Sequence, residues 1–320
     1  MAGGSQPSAG GTVEVSQVPA KRRMKSPRFA LAVPAGLLFI LFFLVPVAFI
    51  AYYSFGYKPF FLTGLTIATD KLSFSNYGDA LSGTFLETFK GTLQISILGT
   101  FICLLIGFPF AYWLAVRVSP KWRGLLLGLV IVPFWTNFLV RTIGWRILLA
   151  PEGPVSGILK AVGIRDAPLA VLDTRFAVQL GVVYNYLPLM ILPLFVALDR
   201  LEPALREASK DLGASRWKTL RQVTIPLAMP GIVAGTLLVF IPLTGDYITA
   251  AVLGGAKGNM VGRMVADQFL VAQNWALGSA MAMVLIAMIL LTVGLFALIG
   301  LAARALIQRN RRVTLQEVPA

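Results

Sequence analysis

Apolar stretches of about 25 residues, most of them without a single charge, recur along this chain and limit its folding options more than any motif does. The first runs from Phe29 to Tyr53, and others follow at Thr92 to Val116, Gly124 to Leu149, Phe176 to Leu198, Ala228 to Val252 and Trp275 to Ala303. A helix of about 20 apolar residues crosses the hydrocarbon layer of a bilayer, so each of these six runs is expected to be a transmembrane helix. In lipid a chain must satisfy its own backbone hydrogen bonds, and helices do so within each segment. The expectation is therefore an all-α membrane protein with six spans.

Composition agrees with that reading. Hydrophobic residues make up 57% and charged residues 13% of the 320, outside the usual range of a water-soluble domain. A net charge of +14 raises the possibility of nucleic acid. The basic residues, however, sit in short clusters between the apolar runs and not along one polar face, which points to the bilayer as the partner and not to nucleic acid. Lys21, Arg22, Arg23, Lys25 and Arg28 precede the first run; Arg117, Lys121 and Arg123 follow the second; six more lie between Arg200 and Arg221; and four lie between Arg304 and Arg312. Placing these on one side by the positive-inside rule puts both termini in the cytoplasm of a bacterial inner membrane.

Residues 1–28 lack the hydrophobicity to pack and read as a disordered basic cytoplasmic tail; residues 29–303 form the six-helix domain, and 304–320 a second cytoplasmic tail. The first apolar run is longer than a signal-peptide core and lacks a small-residue cleavage site, so it is expected to stay attached as a span. The outer loops Ser54 to Gly91, Ala150 to Arg175 and Leu253 to Asn274 are long enough for caps, with a short helix expected around Asn76 to Leu81.

Several chemistries are excluded. The chain has no histidine, which removes Ser-His-Asp and Cys-His catalysis and histidine-rich metal motifs. Cys103 is the single cysteine, inside an apolar run, and is expected to pack in the core or against lipid. No metal site and no cofactor is expected. Gly213 to Thr219 has the outline of a phosphate-binding loop, but Trp217 stands where its second glycine would be, so the chain is not expected to hydrolyse ATP.

One inner loop, residues 199–227, is long and patterned. Leu201, Ala204, Leu205, Ala208 and Leu212 recur at helical spacing, Pro203 suits a first turn, and Gly213 suits the left-handed position beyond a helix end. A short amphipathic helix from Pro203 to Leu212 is expected, followed by a second one capped by Ser215 and passing through Trp217 and Leu220. Pro226 and Pro230 would mark the start of the next span.

Glu207-Ala208-Ser209-Lys210-Asp211-Leu212-Gly213, followed after nine residues by Val223-Thr224-Ile225-Pro226, resembles the EAA loop of ABC importer permeases. That loop has the pattern Glu-Ala-Ala, three residues, Gly, nine residues, Ile-x-Leu-Pro. Ser209 replaces the second Ala, and Val223 and Ile225 replace Ile and Leu. The resemblance implies a type I importer permease whose loop is a cytoplasmic coupling helix, with Glu207, Ala208, Ser209, Asp211, Gly213 and Pro226 as its coupling residues. It also implies three protein partners: a cytoplasmic ABC ATPase dimer, a second permease subunit expected to be a different chain, and an extracytoplasmic solute-binding protein. Pro133 to Arg141 with Trp145, Tyr184 to Pro193, and Phe240 to Gly255 are similar to the spermidine/putrescine permease subfamily. Polyamine is therefore the expected cargo, with another small organic solute as the alternative. A secondary transporter is a further alternative, though it would leave the inner loop unexplained.

Polar groups inside spans are costly unless they face a cavity or a partner. Asp246, after Pro242 and Gly245, lies where the helix is expected to break; it could attract a cation or pair with Arg141. Asn137, Tyr184, Asn185 and Tyr247 are further candidates for the translocation path, with Arg141 beside them. Arg141 and Arg146 would repel a polycation if they faced its route, and could instead hold outer loops or carboxylates.

Overall fold

A computed structural model describes residues 28–59, 67–81, 83–164 and 167–312; both expected tails, apart from residue 28 and residues 304–312, lie outside the described residues. The chain divides into two bodies at Val47 and Ala48. Among the described residues the structure is helical, apart from one antiparallel bridge between Tyr57 and Ala68.

The first body holds a helix α1, Arg28–Phe39, and a wide π-turn, Ile40–Leu44, which leads into α2, Val45–Tyr53, the helix in which the division falls. The wide turn has a local cause. Pro46 has no N–H to donate and its ring crowds the carbonyl four residues back. A turn with one extra residue ahead of it lets the helix continue.

In the second body α3, Ser75–Ala80, is the short outer-loop helix expected near Asn76. Three helices form the core: α4, Gly83–Val116; α8, Arg175–Asp199; and α11, Ile225–Thr244. Lipid supplies little hydrophobic drive for helix pairing, so close packing across small residues must hold such a core together. Gly231 lies against Ala197 and the Pro193 carbonyl, Gly235 against Met190, and Gly107 against Met190 and Ile191. Cys103 is fully buried in this core.

Between α4 and α8 lie α5, Pro120–Ile131, a 3₁₀ turn at Val132–Trp135, α6, Phe138–Leu148, and α7, Pro154–Ala161. The inner loop carries α9, Pro203–Asp211, and α10, Arg216–Thr219. After α11 come α12, Ile248–Leu253, α13, Val261–Leu270, and the long α14, Trp275–Arg312, which packs on α3 and α13.

Among the described residues five helices are long and apolar enough to span a membrane, or six with the bent pair α5–α6 counted as one. Three expected boundaries need correction. The second span begins at Gly83 and not Thr92, because Phe85 and Phe89 bury in a second cluster with α3 and α14 and extend the helix. The third is not one helix from Gly124 to Leu149: it bends by 89° between Trp135 and Phe138. Thr136 is extended there, and Asn137 starts a new helix by accepting the Leu139 N–H on its side chain at 2.8 Å. The fifth reaches from Arg216 to Thr244 and not from Ala228 to Val252. A second π-turn, Leu220–Thr224, precedes Pro226 just as the first precedes Pro46, so the proline does not break the helix.

The tight glycine contact gives a direct test of this packing. Gly231→Val should lower the thermal stability of the detergent-solubilised protein by about 1–3 kcal/mol through overpacking against Pro193 and Ala197. Gly157→Ala, where a methyl group meets nothing within 4 Å, should leave the melting temperature unchanged or raise it.

Candidate functional site

Five of the six expected coupling residues, Glu207, Ala208, Ser209, Asp211 and Gly213, lie on α9 and the turn that ends it; Pro226 lies in the first turn of α11. Pro203 opens α9, and Gly213 adopts φ +76°, the left-handed value expected of it. Gly213 N–H donates to the Lys210 carbonyl at 2.8 Å and Ala214 N–H to the Ser209 carbonyl at 3.1 Å, which closes the helix end in a Schellman motif. Ser215 then caps α10, its hydroxyl accepting the Lys218 N–H at 3.3 Å.

Ser209, the departure from the second alanine of the motif, has a contact that an alanine lacks. Its hydroxyl is 3.0 Å from that of Thr219, which is itself buried. This bridge ties α9 to α10 across the Gly213 turn. Pro226 lies just beyond the π-turn at the start of α11, so α10 and the fifth span form one continuous helix. Sequence reasoning missed the Thr219 contact, because its partner lies ten residues away around a reversal of the chain.

On α9 itself no residue is buried. Glu207, Ala208 and Asp211 are exposed, as are Ala204 and Leu205. Leu212 is 88% exposed and Trp217 on α10 is 77% exposed. From Ala204 to Leu212 the apolar stripe read from the sequence is therefore left uncovered by the described residues, while Leu201 is half-buried against the core.

At the other end of the core, the path candidates fall into two groups. The first surrounds the helix break after α11. Asp246 is 5% exposed, and its two oxygens accept from Thr249, one from the backbone N–H at 3.0 Å and the other from the hydroxyl at 2.5 Å. The end of α11 frees carbonyls in its last turn, and that of Pro242 accepts from the Tyr186 hydroxyl at 3.4 Å. Gly262 at the start of α13 backs directly onto Gly245 and Asp246, where a side chain would clash. Asn185 is 1% exposed; its amide donates to the Thr142 hydroxyl at 3.2 Å, while its Oδ1 has no partner among the described residues.

Arg141 does not pair with Asp246; the ion pairs among the described residues are Arg123–Asp199 and Arg263–Asp267. Its guanidinium instead lies over the rings of Phe134 and Phe138, 5.3 and 5.5 Å from their centroids. Its Nε and Nη1 are buried without acceptors among the described residues. Arg146 donates to the Val252 carbonyl and so holds α6 to α12.

The second group is more exposed. Tyr184 packs edge-on against Trp145 at 5.4 Å, Tyr247 is 46% exposed at the start of α12, and Asn137 is engaged as the cap of α6. Thr142, Tyr186 and Thr249 are the polar partners that sequence reasoning passed over. The Asp246-x-x-Thr249 spacing was a legible signal, since a side-chain acceptor before a helix takes the N–H three residues on.

The profile of the family described as "Binding-protein-dependent transport system inner membrane component" matches residues 107–312. The spermidine/putrescine transport system permease protein PotB of Haemophilus influenzae is 39% identical over 277 residues, covering 87% of this chain and 93% of that one. PotB of Escherichia coli K12 is 38% identical over 241 residues, covering 75% and 85%. In fold, the chain is similar to a chain of a bacterial alginate ABC transporter solved in complex with a pentasaccharide-bound periplasmic protein. The TM-score is 0.65 at 17% identity, over 91% of this chain and 96% of that one.

A helical bundle with several apolar spans, matched by this family model and these relatives, is a multi-pass permease subunit of an ABC importer, a transport component. This chain belongs to the family of binding-protein-dependent transport system inner membrane components.

The Ser209–Thr219 bridge can be measured as a coupling energy. A double-mutant cycle of Ser209→Ala and Thr219→Val should return about 1 kcal/mol between the two hydroxyls in chemical denaturation of the purified chain. Strict additivity would show that the bridge does not form.

Proposed function

We propose that this chain is one of two different permease subunits of an ATP-driven importer for spermidine, putrescine or a related polyamine. In this reading the termini, residues 1–28 and 304–320, lie in the cytoplasm, residues 29–303 form the membrane domain, and the loop 199–227 meets a cytoplasmic ABC ATPase dimer. An extracytoplasmic binding protein delivers the cargo.

The observation that carries the coupling role is the uncovered stripe on α9. A surface helix whose alanines and leucines face outward, with Leu212 almost wholly exposed, costs solubility unless something covers it. A helix laid in a groove of a partner is a common way to cover such a stripe. The loop is also built to move as a unit: Gly213 closes α9, Ser209 braces it on α10, and α10 continues into α11. Displacement of α9 by a closing ATPase would therefore reach the helix that ends beside Asp246.

Cargo is proposed from the relatives' names together with the chemistry of the break. Both Asp246 oxygens accept from Thr249, and when the group is ionised its other lone pairs leave capacity for an ammonium group. Arg141 lies over two aromatic rings and forms no ion pair with Asp246, so it does not neutralise that carboxylate. Asn185, Tyr184, Tyr247 and Asn137 are proposed to line the route.

Two measurements test these roles separately in the complex reconstituted with its ATPase and binding protein. Gly213→Val forces a side chain into a left-handed conformation, and Glu207→Ala removes a coupling carboxylate. Each should reduce cargo-stimulated ATP hydrolysis at least roughly tenfold, an effect of about 1.4 kcal/mol, while unchanged hydrolysis in both would refute the coupling role. Asp246→Asn should reduce spermidine uptake to a similar degree and leave binding of spermidine to the solute-binding protein intact. Full uptake by this variant would remove Asp246 from the path.

A further inference from the structure

Beside α9, with Leu201 and Trp217 among its apolar walls, is a cavity of about 660 Å³. Its walls are the ends of α4 and α8 together with α9 and α10. Five cations line it: Arg117, Arg123, Arg206, Lys210 and Arg216. Two carboxylates face them. Asp199 is engaged by Arg123 at 2.5 Å, which leaves Glu207 as the remaining counter-charge.

The two sides of α9 are thus divided. Pro203, Arg206, Glu207 and Lys210, at helical spacing, line the cavity, whereas Ala204, Leu205, Ala208 and Leu212 line none of it. The cavity therefore shares none of the exposed apolar residues Ala204, Leu205, Ala208 and Leu212, although Glu207 lines it. Arg206 carries a further sign: its Nη1 is buried and has no acceptor among the described residues. A guanidinium fork without an acceptor, beside other cations in a space of ligand size, suits an oxyanion that takes two parallel hydrogen bonds.

We infer that this cavity is a binding site for a phosphate-bearing anion, held by Arg206 and Arg117 with Lys210 and Arg216 around it. Two sources share that chemistry: the headgroup of an anionic phospholipid of the adjoining leaflet, since basic pockets between span ends on the cytoplasmic side take such headgroups, and a free phosphate solute. The side of the membrane rests on the reading proposed above, but occupation of the cavity is measured by binding and not by transport, so either can fail alone.

The full-length chain, purified in detergent, is titrated with dioctanoyl phosphatidylglycerol, dioctanoyl phosphatidylcholine and inorganic phosphate. Arg117→Gln/Arg206→Gln should weaken phosphatidylglycerol binding by at least roughly tenfold, as expected for charge-assisted contacts. Arg200→Gln, a cation at the same end that does not line the cavity, should leave it unchanged. Arg206→Lys, which keeps the charge, should retain part of the affinity, and all variants are compared at equal melting behaviour. Binding of phosphatidylglycerol but not phosphate identifies a headgroup site; phosphate binding with the same dependence on the variants identifies a free-anion site. Equal binding of phosphatidylcholine, or anion binding indifferent to Arg117 and Arg206, would overturn the inference.

Discussion

A bilayer offers no hydrogen bonds to a peptide group, so each departure from α-helix inside the membrane must be repaired from within the protein. This chain departs often, and the repairs are where several of its candidate path residues gather. Prolines 46 and 226 are each preceded by a π-turn that keeps the helix intact. The bend before α6 is closed by Asn137, and the end of α11 by Tyr186 on the Pro242 carbonyl. Asp246 closes the start of the next helix through Thr249. A carboxylate that serves a helix start already has its backbone partners, which lowers the cost of keeping it buried.

The same logic explains why the core is tight where it is. Without a hydrophobic gain from pairing helices, α8 and α11 depend on glycine meeting proline and alanine, at Gly231 on Pro193 and Ala197. That contact lies on the stretch of α11 between the inner loop and the break at Gly245. A rigid link at this point carries motion along α11 instead of absorbing it. In the proposed coupling role, the gripped loop is joined through α10 without interruption to a helix that ends beside a buried acid.

Much of this was legible in the sequence, and the misses have physical reasons. Uncharged runs located the spans because the cost of charge in hydrocarbon dominates there. Gly213 was legible because its conformation excludes most other residues. Hydropathy could not see the 89° bend in the third span, since Val132 to Leu139 is apolar on both sides of it; the signal was Asn137, a capping residue inside an apolar run. The fifth span was read too short at its inner end because Arg216 to Arg221 looks like loop by charge, and because Pro226 normally ends a helix. The buried partners Thr142, Tyr186 and Thr249 come from other helices or the next turn, and only the last has a spacing that gives it away.

The π-turn at Leu220–Thr224 has one more consequence. A turn that holds an extra residue rotates everything before it by about 100° relative to an unbroken α-helix. A helical wheel drawn straight from α11 down to Arg216 would therefore assign Trp217 to the wrong azimuth. The direction in which that indole projects is set by the five-residue widening ahead of Pro226, so a change that let the helix revert to regular winding would swing Trp217 around the axis without altering a single residue of α9 or α10.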